Sequence, residues 1–556
     1  MTKPNFLLIL NDDMGYSDIG CYGGEVLTPH LDSLANSGLR YTQFYNTARC
    51  CPSRASLITG LHPHQADIGD MVSDDEIDGY RGSLSPDSVT IPESLKTGGY
   101  VSYMSGKWHL SNNLHHDGPK FSWPSQRGFD DFYGIITGAA SFYQPRTLTR
   151  NNEPIEPEDD DYFLTDAISD EAVRQIREHS VSTVSKNSNT PFFQYVAYTA
   201  PHWPLHAHKE DIAKYEGRFD VGWDQLREER IARMIEMGII RDDWKLSSRD
   251  PDVSAWEDQP HKKWEARRME VYAAQIDRMD QGIGRIIDAL KETDQFENTV
   301  IVFLADNGGC AEDLGGGSET WVKRIVKGAP YVGTIETRDG RPVRFGNSPD
   351  IIPGGEDTYC SYGLPWANVS NTPFRMYKHW IHEGGISTPF IIHWPKGIKD
   401  RGALRHQPAQ LPDVMAIFLD IANIEYPETY KENIIKPAEG FSLVPTFTDG
   451  PHTRKNLFWE HHGNRGARRG KWKLVAKQGE DQKSGPWELY DMTADRSELN
   501  NLALQRPDIV EELEGQYFEW AERCDVMDFD DLRALRQPKY RAKREAERAA
   551  AQKNPD

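Results

Sequence analysis

The side chains in this chain best suited to chemistry fall in two short polar pairs and one cysteine-containing pentapeptide. Asp12-Asp13 follows an apolar run at residues 5–10, and Asp306-Asn307 follows a second run at 299–304. In open α/β sheets ligands bind beyond the carboxyl ends of strands, which is where both pairs fall. Three carboxylates and one amide oxygen make a hard, all-oxygen donor set, suited to Ca2+ or Mg2+ and poor for zinc. Asp and Asn are also common in strand-to-loop turns, so either pair alone reads equally well as a turn. Cys50-Cys51-Pro52-Ser53-Arg54 leads into the apolar helical pattern Ala55-Ser56-Leu57-Ile58. That places a thiol at a helix N-terminus, where backbone amides and partial positive charge favour a developing anion. The competing reading is two buried structural cysteines and, for Arg54, a surface ion pair.

The full segment Cys50-Cys51-Pro52-Ser53-Arg54-Ala55-Ser56-Leu57-Ile58-Thr59-Gly60 resembles, at every fixed position, the signature of the type I (formylglycine-dependent) sulfatases. The resemblance implies that Cys50 is converted by a separate maturation enzyme to 3-oxoalanine (formylglycine), with a hydrated aldehyde as the nucleophile. Its spacing to Pro52 and Arg54 selects Cys50, leaving Cys51 as a bystander. The same resemblance implies that Asp12, Asp13, Asp306, Asn307 and the oxygen derived from Cys50 hold one divalent cation, usually calcium. Gly106-Lys107-Trp108-His109, Ala200-Pro201-His202-Trp203-Pro204 and Pro373-Phe374-Arg375-Met376-Tyr377-Lys378 each resemble a sulfatase motif, and a further one is Glu383-Gly384-Gly385. They imply that Lys107, His109, His202 and Lys378 join Arg54 in the site. In the implied reaction one hydroxyl of the diol attacks sulfur and expels the alcohol, giving a covalent sulfo-enzyme. The other hydroxyl then loses its proton, with His109 suited as the base, and sulfate is released as the aldehyde reforms. His202 and Lys378 suit a clamp on the sulfate and protonation of the leaving oxygen.

Residues 215–224 and 269–274 look most like bacterial arylsulfatases, which points to small aryl sulfates as substrates. One rival within the superfamily is a phosphonate monoester or phosphodiester hydrolase; such enzymes tend to carry neutral hydroxyl residues where Lys107 and His109 stand here. A rival of another class is a non-catalytic anion-binding protein on the same fold, for which an oxidisable cysteine has no use.

With 556 residues, 38% hydrophobic, the chain can bury a large core in more than one domain. A net charge of -22 disfavours a nucleic-acid partner. Residues 1–4 run directly into an apolar strand with no room for a signal peptide, and no apolar run approaches a membrane span, so a cytoplasmic protein without a membrane partner is expected. The six cysteines (Cys21, Cys50, Cys51, Cys310, Cys360, Cys524) are too few for a disulfide framework and match no zinc spacing.

Apolar runs at 5–10, 192–198, 299–304 and 389–393 alternate with helical patterns, as buried parallel strands do. The expected fold is α/β, alkaline-phosphatase-like by the sulfatase resemblance: a large, mostly parallel sheet sandwiched by helices over residues 1–450. Thr28, Pro29 and Gly38 mark the N-cap, first position and end of one helix, and residues 265–291 have the spacing of a long one. Residues 210–259 are expected as a helical excursion over the surface, and 308–362 as long loops or a small hairpin beside the site. Short antiparallel strands at 456–460, 471–475 and 487–491, with a helix from 507 to about 524, predict a smaller α+β domain over 451–527. The basic tail 528–556 (Arg533, Arg536, Lys539, Arg541, Lys543, Arg544, Arg548) points to an oligomerisation arm in a homodimer.

Overall fold

The computed structural model describes residues 3–157, 159–315, 317–326, 333–479, 484–539 and 542. Its centre is an eleven-stranded mixed sheet. The strands are β1 (Asn5–Asn11), β2 (Leu39–Tyr45), β3 (Val101–Lys107), β4 (Asp131–Ile135), β5 (Leu148–Arg150), β6 (Glu153–Pro154), β7 (Phe192–Ala197) and β8 (Thr299–Ala305), joined by Ser387–His393, Ala403–Arg405 and Ala409–Gln410. Across the sheet the order is Ala403–Arg405, β2, Ser387–His393, β8, β1, β7, β3, β4, β5, β6, with Ala409–Gln410 also on β2. The central pairs β8–β1, β1–β7, β7–β3 and β3–β4 are parallel. Ser387–His393 is antiparallel to both its neighbours, β2 and β8, unlike the parallel strand its apolar run suggests. Periodicity gives burial on two faces but not direction, so the sequence leaves this open.

The central strands are apolar throughout because both faces are covered. Leu7 and Ile9 of β1 pack with α1 (Pro29–Ser37) and the helices Leu164–Ser185 and Lys262–Glu292. Phe6, Leu8 and Leu10 pack on the other face with α2 (Cys50–Thr59) and Pro412–Ala422. α1 has the predicted bounds, but Thr28 makes no capping bond. Its hydroxyl accepts from Gly20 N–H and donates to Asp32, and Gly38 is not left-handed.

The excursion at 210–259 is less superficial than its charge suggests. Trp223 and Trp256 are buried edge to face, their centroids 4.7 Å apart, and both rest against Trp366. Fully buried Arg230 pairs there with Asp18 and Glu25. In the 308–362 stretch a helix Gly317–Val326 is followed by a tight antiparallel turn bridged at Glu336 and Pro342, the small hairpin expected, and by the parallel pair Arg344–Phe345 with Thr358–Tyr359.

At the C-terminal end, Asn456–His461, Asn464–Arg469, Trp472–Gln478 and Ser484–Asp491 form a sequentially ordered antiparallel sheet, with Pro507–Arg523 packed on it. The second of these strands carries three arginines and escapes a hydrophobic reading. The sheet is tied to the large one by Trp459 Nε1–H, which donates to Asn46 O at 3.0 Å, and by a fully buried ion cluster of Glu383, Lys473, Arg496 and Glu498. All six cysteines are free. Among the described residues no helix is long and apolar enough to cross a membrane.

Candidate active site

The carboxyl ends of β1, β8, β3 and β7 and the entry to Ser387–His393 lie on one edge of the sheet, because the last strand runs opposite to the others. Asp12-Asp13 leaves β1, Asp306-Asn307 leaves β8, Lys107 ends β3 with His109 just beyond it, and His202 follows β7. Lys378 lies in the connection that leads into Ser387–His393. Cys50 arrives from β2 as the first residue of α2. Gly106 permits the close approach of β3 to β7: a Cβ there would stand 1.9 Å from Ala197 O.

Arg54, one turn into α2, is wholly buried and joins three of these strand ends. Its Nε donates to Asp306 Oδ2 at 2.9 Å, one terminal nitrogen donates to Lys107 O at 2.9 Å, and the other is 3.6 Å from Asp12 Oδ2. Lys107 Nζ donates to Asp12 Oδ2 at 2.5 Å, and Lys378 Nζ to Asp13 Oδ1 at 2.6 Å. Asn307 Nδ2 also donates to Asp13 Oδ1, at 2.7 Å. His202 Nδ1–H donates to Trp203 O at 2.6 Å, so its Nε2 is the atom that faces Asp13 Oδ2, 3.4 Å away. Asp13 and His109 both have left-handed backbones, φ 67° and 57°. Conformations of that kind persist only where the surroundings hold them.

The remaining oxygens test whether a cation fits. Asp12 Oδ1, Asp13 Oδ2, Asp306 Oδ1 and Asn307 Oδ1 are all buried without a hydrogen-bond partner. Buried polar atoms are normally paired, and four unpaired lone-pair donors on neighbouring residues are what a hard divalent ion needs. Burial acts to raise the Asp12 pKa, but Lys107, His202 and Arg54 outweigh it and hold it low. Burial and the charge of Asp12 push Asp306 well up. A cation between the two carboxylates would relieve that repulsion.

Cys50 and Cys51 part company in their packing. Cys51 joins Leu57, Ile58 and other apolar residues of the core, its Sγ 3.6 Å from Met71 Sδ. The Cys50 and Cys51 sulfurs share a neighbourhood of 4.8 Å with a nitrogen of His109, whose Nδ1 is buried and unpaired, but only Cys50 is the first residue of the helix. A hydrogen bond from Cys51, acting against burial and helped by Lys107, His109 and Lys378, holds the Cys50 thiol well below its usual range. Burial lowers the His109 pKa, leaving a neutral imidazole that can accept a proton.

All ten residues expected in the site are thus on one edge. Glu383, quoted with them, is instead spent on the ion cluster with Lys473 and Arg496, and Arg375 pairs with Glu488. The sequence reading missed Glu312. It accepts from Arg49, the residue before Cys50, at 2.6 Å, and from Trp203 Nε1–H at 3.1 Å. Asn371 was also missed: its Oδ1 accepts from Gly309 N–H at 2.9 Å, steadying the turn after Asn307. Neither residue has a local signal, since both lie in irregular segments.

The sulfatase family profile matches residues 4–424, and that of the N-sulphoglucosamine sulphohydrolase C-terminal region matches 374–522. An uncharacterized sulfatase of Schizosaccharomyces pombe is 32% identical over 92% of both chains. An arylsulfatase of Klebsiella aerogenes is 33% identical over 79% of this chain and 91% of its own. The crystal structure of Ps i-CgsB in complex with k-i-k-neocarrahexaose shares the fold, with a TM-score of 0.65, 23% identity and coverage of 97% and 98% of the two chains.

Proposed function

We propose, from the premise that this chain belongs to the sulfatase family and is a sulfuric ester hydrolase, that it cleaves aryl sulfate monoesters with formylglycine at position 50. The observation that carries this reading is the position of Cys50: first in α2, beside His109, with Arg54 of the same helix fixed to Asp306. A hydrated aldehyde would supply there a hydroxyl nucleophile and a second hydroxyl through which the bond to sulfur is released. Asp12, Asp13, Asp306 and Asn307 would hold a divalent cation, Ca2+ before Mg2+, supplying Lewis acidity toward the sulfate oxygens.

The chain's own residues divide the remaining work. Lys107 and Lys378 each keep one Asp oxygen engaged and offer positive charge to the non-bridging oxygens. His109, neutral and unpaired at Nδ1, takes the proton when the bound sulfate is released. His202, its Nδ1–H committed to Trp203 O, presents Nε2 and can deliver a proton to the departing oxygen when charged. Lys107 and His109 also favour a sulfate over a phosphonate monoester, the rival reading. A purely binding role leaves the buried Cys50 unexplained.

The reading extends to a large catalytic part over 1–450, a smaller part over 451–527, and a cytoplasmic protein dependent on a maturation enzyme. The proposed dimer arm is less favoured by its described portion: Arg536 and Lys539 pair with Asp75 and Glu76 of the same chain. Arg541, Lys543, Arg544 and Arg548 lie outside the described residues. Comparison of kcat/KM for p-nitrophenyl sulfate and a phenyl phosphonate monoester tests the assignment; a clear preference for the phosphonate overturns it.

A further inference from the structure

Of the four cradle residues, Asp13 alone has a left-handed backbone, at φ 67°. Asp12 is still held in sheet fashion, its N–H donating to Ala200 O at 3.1 Å. One residue later the chain turns out of the ladder into a conformation that an L-residue keeps only where its surroundings impose it. The Asp13 carboxylate is spoken for on one side, Oδ1 accepting from Lys378 and Asn307, while Oδ2 is left unpaired. Whatever fixes the Asp13 backbone therefore fixes where one cradle oxygen points.

The contacts that fix it come from two distant parts of the chain. Tyr272, in the helix Lys262–Glu292, places its hydroxyl 2.8 Å from Asp18 Oδ2 and 3.1 Å from Asp13 O, so one proton lies between a carboxylate and the Asp13 carbonyl. Asp18 Oδ2 also accepts from Gly15 N–H at 2.9 Å, which closes the loop that follows Asp13. That loop is pinned on its outer side, because a Cβ on Gly15 would stand 2.3 Å from the Ser370 backbone and Ser17 N–H donates to Ser370 O at 3.1 Å. Asp18 is held in turn by Arg230 of the 210–259 excursion. The guanidinium donates to Asp18 Oδ1 at 2.8 Å and to the two oxygens of Glu25 at 2.6 and 3.0 Å. Asp18, Arg230 and Tyr272 are all buried, and the Tyr272 ring is fixed by stacking on Tyr362, centroids 4.3 Å apart and 12° from parallel. Charge-assisted hydrogen bonds in such a setting are strong and geometrically defined.

We propose that Tyr272 and Asp18, locked by Arg230, are positioning residues that hold Asp13 in ligating geometry and so set the affinity of the cradle for its cation. The inference rests on the reading of Asp12, Asp13, Asp306 and Asn307 as the cation site. Tyr272 and Asp18 act through the Asp13 backbone and the loop behind it, not by ligation. Groups that orient a ligand in this way commonly contribute about 10–100-fold in metal affinity. The buried Arg230 then has a use beyond packing: it connects a segment remote in sequence to one carboxylate of the site.

The test is the Ca2+ dissociation constant of the full chain, stripped with a chelator and titrated in competition with a fluorescent calcium indicator. Tyr272→Phe keeps the ring and its stacking on Tyr362 and removes only the hydroxyl. It should bind Ca2+ at least about 10-fold more weakly than the wild type, and the Ca2+ concentration giving half-maximal activity should move by the same factor. Asp18→Asn should weaken binding in the same direction; if it does not fold, Tyr272→Phe decides alone. Tyr215→Phe removes another buried hydroxyl, bonded to Asp277 at 3.0 Å, and should leave the dissociation constant unchanged. A merely structural role would lower the Tm of the stripped protein in both tyrosine variants without moving the constant. Wild-type affinity in Tyr272→Phe, or equal weakening in Tyr215→Phe, would overturn the inference while leaving the cradle standing. Absence of Ca2+ binding by the wild type would contradict the cradle itself and the inference with it.

Discussion

Arg54 and Asp306, 252 residues apart in sequence, are joined by a guanidinium nitrogen 2.8 Å and Nε 2.9 Å from the same carboxylate oxygen, with neither side chain exposed. One residue of the helix opened by Cys50 therefore fixes the carboxylate at the end of β8. Asp306→Ala leaves Arg54 buried and poorly paired, which costs about 3–5 kcal/mol when a buried pair is broken. It also removes one of the four unpaired oxygens. A lower Tm, loss of bound divalent metal by elemental analysis, and a fall in kcat/KM of at least ~100-fold, or about 2.7 kcal/mol in the barrier, are expected. A variant with full metal content and activity would contradict the cradle.

Cys50→Ala is expected to fold with a Tm near wild type and to lose sulfatase turnover altogether. Cys51→Ser places a hydroxyl among apolar neighbours and should cost about 1–3 kcal/mol of stability while keeping much of the activity. Equal loss of turnover in both, with the remaining cysteine fully modified in each, would remove the distinction between them.

Lys107 and His109 bear on selectivity. Replacing both with neutral hydroxyl residues should narrow the ratio of kcat/KM between p-nitrophenyl sulfate and a phenyl phosphonate monoester, because charge beside the nucleophile is lost. An unchanged ratio with reduced rates would mean that the two residues do not discriminate.

The contact between the two sheets predicts acid sensitivity. Burial acts to raise the Glu383 pKa, but Lys473, Arg496 and Arg468 overcome it and hold it at about 2, against an ordinary value of 4.5. A carboxylate lowered in this way stabilises the fold above about pH 4.5, and that contribution drains as pH falls toward 2. Lys473→Met removes the principal partner and narrows the gap between the folded and unfolded pKa of Glu383, so Tm near neutral pH should fall and the further drop in Tm between about pH 4.5 and 2 should become shallower. Superimposable acid limbs would show that Glu383 does not link the parts.

Much of the site was legible because its residues sit where strands end, and strand ends are visible as apolar runs that stop at polar pairs. Asp12-Asp13 and Asp306-Asn307 stand out for that reason, and Cys50 through its spacing to Arg54. Glu312 and Asn371 were not legible, since tertiary packing alone brings irregular segments together. The direction of Ser387–His393 was hidden for a different reason: a strand buried on both faces reads the same parallel or antiparallel. Trp223 and Trp256 look superficial amid charged neighbours, yet pairing with Trp366 and the burial of Arg230 against Glu25 make that face part of the core.

Mass analysis of the peptide containing Cys50 and Cys51, taken from preparations whose specific activity has been measured, tests the central claim most directly. The expected result is an aldehyde at position 50, an unmodified thiol at position 51, and activity that scales with the modified fraction across preparations. Full activity from protein whose Cys50 is entirely an unmodified thiol would contradict the account.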